Sequence, residues 1–174
     1  MNKIFNIIGF QAGWWSCVLG TKYEAKYFGP LIMLVFIIIH LYYFSDDPHE
    51  IKLVIFFAFA GTLVDTAMAY SGVLKYSGLY KPDILIAPLW ITAMWFGFAA
   101  TVNHSMEWLK NRWIAAFILG AVFGPLSYIT AEKFGAVQFQ ENIIIVCTML
   151  AIVWGASIPA IYWVNDRINN KANI

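Results

Sequence analysis

Residues 56–72 read FFAFAGTLVDTAMAYSG, a single aspartate set in an apolar stretch. At about 100° per residue, Ala58, Gly61, Thr62, Met68, Ala69 and Gly72 fall on the same side of a helix as Asp65, while Phe56, Phe59, Leu63 and Tyr70 fall opposite. In lipid, small residues let neighbouring helices approach and bulky ones meet acyl chains, so Asp65 is expected to point into a bundle. An ionisable group at depth costs roughly 2.5 to 3.5 kcal/mol on insertion scales, which makes it a candidate functional residue; a hydrogen-bonded structural acid is the alternative. Its expected partners are Tyr128 and Gln11.

Working outward, 61% of the chain is hydrophobic and 12% charged, with a mean hydropathy of +0.68, and the apolar residues come in long blocks. At ~20 residues per crossing, a chain of this length holds about six spans and no soluble domain. The expected fold is an all-α membrane protein, a six-helix transmembrane bundle forming one polytopic domain over residues 1–174. A net charge of +1 without a basic tract excludes a nucleic-acid partner. Cys17 and Cys147 lie in apolar segments and read as small hydrophobes. The start reads as an uncleaved first helix, because Trp14 and Trp15 stand where a cleavage site needs small residues and Gln11 interrupts the apolar core.

The spans are expected at about 4–20, 30–44, the segment around Asp65, from Pro88 onward, 113–132 and 143–163, with the final residues NDRINNKANI as a polar tail. Gln11 near mid-depth suits a bond to a neighbouring helix. His40, beside Tyr42 and Tyr43, reads as an interfacial anchor, and the loop SDDPHE, with Asp46, Asp47, His49 and Glu50, as a solvated turn rather than a cation site. Pro82 and Pro88 bracket DILIA, an extended piece or the angled start of the fourth helix. In that helix Trp90, Ala93, Gly97, Ala100, His104 and Glu107 share a face, and His104 and Glu107, three apart, are expected to touch as an ion pair or hydrogen bond. Gly61 and Gly97 are expected at helix contacts. Pro125 should kink the fifth helix, and KFGAVQFQEN reads as a loop or interfacial segment.

A shift of 63 residues aligns Ala58 with Ala121, Gly61 with Gly124, Leu63 with Leu126, Asp65 with Tyr128, Gly72 with Gly135 and Tyr76 with Phe139. This is the pattern of a repeated helical hairpin in parallel orientation, and it would place Tyr128 and Glu132 on the inner face with Asp65. With six crossings, one side collects Lys3, Lys52, Lys110, Arg112, Arg167 and Lys171 and the other Lys22, Lys26, Lys75, Lys81 and Lys133, a slight excess that favours both termini in the cytoplasm.

The motifs NIIGFQAGWW, GTLVD, PLWITAMWFGF, NHSMEW, GAVFGPLSY and GAVQF, in this order over nearly the whole chain, resemble a family of small bacterial inner-membrane proteins classified only as a domain of unknown function. The resemblance implies a multi-pass protein of the bacterial inner (cytoplasmic) membrane and, from the genes that accompany the family, a role among lipids. It supplies no catalytic or binding residue. The first functional expectation is therefore binding, moving or helping to modify a lipid or other hydrophobic molecule, with membrane lipids as partners. The alternatives are a small proton-coupled carrier using Asp65 and an accessory subunit packed on a larger membrane protein; a second copy is a further candidate partner. The candidate ligand-binding residues are Asp65, Tyr128, Gln11, Glu132, His104 and Glu107. No catalytic constellation, metal site or cofactor is expected: there is no His-Glu-x-x-His, no phosphate loop and no histidine pair spaced for haem.

Overall fold

The computed structural model describes residues 2–45, 47, 49–81 and 85–172. Among the described residues there are six α-helices: α1 (Asn2–Lys22), α2 (Phe28–Tyr43), α3 (Glu50–Tyr70), α4 (Leu89–Ala99), α5 (Trp113–Lys133) and α6 (Ile143–Ala172). Two strands of three residues, β1 (Leu74–Tyr76) and β2 (Val137–Phe139), pair antiparallel in the segments read above as connections. Three of the helices, α3, α5 and α6, are long and apolar enough to cross a membrane; α2 and α4 are apolar but shorter. The outer surface carries Ile8, Leu31, Ile38, Phe59, Ile114, Phe123, Ile144 and Ile152, all more than half exposed. Asp46, Pro48, Pro82 and the first two residues of DILIA lie outside the described residues.

The helical periodicity of residues 56–72 decides how α3 packs. Phe57, Ala58, Gly61, Asp65, Met68 and Ala69 are buried, while Phe56, Phe59, Leu63 and Tyr70 are exposed. The inner face meets α4, which has α1, α2 and α3 against it. Six of the eleven residues of α4 are buried, distributed all round its axis, as in a helix that neighbours surround. Both expected contact glycines are where helices touch: a Cβ on Gly61 would stand 2.0 Å from the Trp95 ring, and one on Gly97 2.3 Å from the sulfur of Met33.

Two boundaries differ from the sequence reading. α4 ends at Ala99, about 16 Å after it begins, and residues 100–106 form turns before a short 3₁₀ segment at Glu107–Leu109. The small-residue stripe continues in helical register past that point, so its periodicity gave no sign of the stop. At the other extreme, the polar tail continues α6 to Ala172. Lys3 on α1 pairs with Glu107, and Lys110 with Asp166 on α6, so the start of α1 and the last turns of α6 occupy one end of the bundle.

The 63-residue offset recurs in the structure. α3 and α5 begin and end at matching positions, as do β1 and β2. Both helices stop in the same way: Gly72 and Gly135 take left-handed φ of 73° and 79°, Val73 donates to the Met68 carbonyl, and Ala136 donates to the Ala131 carbonyl. In the ladder, Lys75 pairs with Gln138, its own counterpart, so a pseudo-two-fold axis passes through that pair. α3 and α5 run in the same direction, because Asp65 touches Tyr128 one level above the strands and the tryptophans seated at Gly61 and Gly124 touch a level higher.

Candidate functional site

Asp65 lies five residues before the end of α3 and is 1% exposed. Its Oδ1 accepts hydrogen bonds from the hydroxyls of Tyr76, at 2.6 Å, and Tyr128. Its Oδ2 accepts from the indole Nε1 of Trp95 at 2.6 Å. An indole N–H can only donate, so Oδ2 is an acceptor, while the tyrosine hydroxyls can turn to give or take a proton. β1 brings Tyr76 back under its own helix, α4 presents Trp95 from one side, and α5 presents Tyr128 from across the pseudo-axis. No lysine or arginine pairs with Asp65 among the described ion pairs.

Above this centre, Trp95 fills the notch at Gly61 and Trp154 of α6 fills the notch at Gly124. Their rings stack at 4.6 Å with an interplanar angle of 4°. Trp95, Trp154 and Tyr128 form part of the wall of a cavity of about 350 Å³ between α1, α4, α5 and α6. The rest of that wall is largely aromatic, with Phe10, Trp14, Trp15, Phe98 and Phe123, and its polar groups include Gln11, Ser127 and Thr130. Such a cavity can hold an apolar body and offers only a few hydroxyl and amide groups to orient it.

The structure thus brings Asp65 and Tyr128 together as expected and separates the other candidates. Gln11 is exposed and lines the cavity instead of reaching Asp65, since α1 packs on α2 and α4 and is not positioned to meet the carboxylate. Glu132 also turns elsewhere: its Oε1 accepts the backbone N–H of Phe139 at 3.1 Å and ties α5 to β2. The side chains of His104 and Glu107 do not pair, because α4 has ended before them, although the Glu107 N–H donates to the His104 carbonyl at 3.3 Å. Glu107 pairs with Lys3 on the surface at 3.2 Å, and His104 turns inward to Glu50.

Glu50 corrects a further expectation. It is the first residue of α3 and 2% exposed, not part of a solvated loop, while Asp47 accepts the backbone N–H of His49 at 2.8 Å and so holds the entrance to the helix. Glu50 meets His104 and also His40, which is buried at 0% rather than interfacial. Asn6 of α1 closes the group: its amide donates to the Ala100 carbonyl at 3.0 Å, and its oxygen accepts from the hydroxyl of Ser105 at 2.6 Å. Trp95, Tyr76, Glu50, His40 and Asn6 were all missed as site residues. For Tyr76 a signal existed, since it closes the repeated segment GVLKY; for the others the local sequence offers none.

No curated protein and no solved structure matches the chain. A family model described as "Protein of unknown function (DUF2878)" matches residues 3–160. The motifs quoted from α1 to β2 all lie within that span, and the chain belongs to the DUF2878 family.

Proposed function

We propose that the chain is a six-helix protein of the bacterial inner membrane, with both termini in the cytoplasm, that holds a lipid chain or another hydrophobic molecule in the cavity beside Asp65. One observation carries this reading: an aromatic cavity of about 350 Å³ whose wall is braced from behind by the Asp65 hydrogen bonds. That volume accommodates a length of acyl chain, and the stacked indoles give it a rigid, flat side. In this reading Asp65 does not touch the ligand; it fixes Trp95 and Tyr128, which do. The buried face of α3 between Glu50 and Asp65 is Leu53, Val54, Phe57, Ala58 and Gly61, without a titratable group, which favours a binding role over proton transfer along this helix.

The test is to purify the full chain in mild detergent and identify retained lipid by native mass spectrometry, beside a Leu119→Trp variant that fills the cavity. Leu119 lines the cavity and is only partly buried, so a larger side chain there takes up cavity space without entering the closed core. A lipid or other apolar molecule bound to the wild type and lost from the variant is the expected result. Equal retention by both, or none by the wild type, removes the reading.

A further inference from the structure

The second buried polar group lies about 22 Å from Asp65, at the start of the same helix. Three elements contribute to it: His40 from the last turn of α2, Glu50 from the first turn of α3, and His104 from the turns after α4. His104 Nε2 stands 3.0 Å from one Glu50 oxygen and 3.2 Å from the other, and His40 Nε2 stands 3.4 Å from Oε1. The two rings meet edge to face at 4.4 Å, and one donor atom from each residue lies within 4.8 Å of the others.

We propose that His40, Glu50 and His104 bind one divalent first-row transition-metal ion. The spacing is the first reason. Nitrogen and oxygen ligands at 2.0 to 2.2 Å from an ion lie about 3.0 Å apart at a right angle and about 3.4 Å apart at the tetrahedral angle. The two histidine–carboxylate separations cover that interval, and the two imidazole donors lie within 4.8 Å of each other. The 3.4 Å approach of His40 is beyond the usual N–H···O range; that of His104, 3.0 Å, is within it, but its near-equal approach to both oxygens also suits a chelating carboxylate.

Burial is the second reason. Glu50 and His40 are withdrawn from water, and the partners of the Glu50 carboxylate include both imidazoles. A buried carboxylate costs several kcal/mol unless a cation compensates it, and a divalent ion held by both imidazoles supplies that charge. The donor set is the third reason. Two imidazoles and one carboxylate suit zinc or ferrous iron and leave coordination positions open, while His104, 14% exposed at its side chain, marks the route by which an ion arrives. Ligation through His40 Nε2 puts the ring proton on Nδ1, which now faces the Asn6 amide nitrogen at 3.4 Å. Asn6 must then turn its oxygen to that ring and give up its donation to the Ala100 carbonyl, while the Ser105 hydroxyl turns to accept, so the ion and the Asn6 hydrogen bonds are coupled.

The full chain, purified in detergent through a tag without histidines and stripped with a chelator, is titrated with Co²⁺ and then Zn²⁺. One Co²⁺ per chain with a visible absorption band, displaced by Zn²⁺, is expected, as is a rise in thermal midpoint with Zn²⁺. Glu50→Gln and His104→Asn should each weaken binding by at least about 100-fold, and His49→Asn, in the neighbouring loop, should leave it unchanged. A folded wild type that binds neither ion, or binding that His104→Asn leaves intact, overturns the proposal. His104 is at the edge of the cluster, so its variant and the wild-type stoichiometry decide the matter even if Glu50→Gln does not fold.

Discussion

The two ends of α3 bury one carboxylate each, and they solve the same physical problem differently. Asp65 is surrounded by two phenols and an indole, groups that neither carry charge nor bind metals readily near neutral pH. Glu50 is surrounded by two imidazoles, which can donate, accept, take up a proton or ligate. The first is a fixed brace between two halves of the molecule. The second is a set of groups that can change state. Burial of an acid therefore does not by itself say whether it works or supports; its donors do.

The strongest way to break this comparison is Asp65→Ala. It strands the buried donors of Tyr76, Tyr128 and Trp95 together, at about 1 to 3 kcal/mol for each unsatisfied group, so a loss of at least about 3 kcal/mol is expected. Denaturation in detergent measures it, and the loss should be the same with and without divalent ions. Gly61→Leu comes next, because a side chain there displaces Trp95 from its notch; overpacking of this kind costs about 1 to 3 kcal/mol. Phe59→Leu, on the exposed face of the same helix, should be close to silent by the same measurement.

Smaller effects sharpen the contrast. Tyr76→Phe and Tyr128→Phe should each cost about 1 kcal/mol, since Asp65 keeps two donors in either variant, and the double variant should cost more than the sum. Asp65→Asn should cost about 1 kcal/mol or less: the amide oxygen can face Trp95 while its N–H groups face tyrosine hydroxyls that turn to accept. A large loss on Asp65→Asn would mean that the charge of the carboxylate, not its shape, holds the brace.

The inner face of α3 was legible because small and bulky residues alternate with helical period around Asp65, and Tyr128 was legible through the offset that links Gly61 to Gly124. Trp95 was not, because an indole in an apolar run looks the same whether its N–H meets a headgroup or a buried acid. Glu50 was hidden by its neighbours: beside Asp46 and Asp47 it reads as a loop residue, and the groups that bury it come from α2 and from the turns after α4. No proline or glycine follows Ala99 to announce the end of α4, so the His104–Glu107 spacing pointed to a side-chain contact that is not made.

The stack of Trp95 on Trp154 has a consequence for measurement. Two indoles 4.6 Å apart and nearly parallel are close enough for their excited states to couple, so they act as one chromophore set into the cavity wall. A molecule that lodges against that wall changes the environment of the pair, and one that wedges the repeats apart changes its spacing. The near-ultraviolet dichroism of the unlabelled protein thus carries its own record of whether the cavity is filled and whether the two halves have moved.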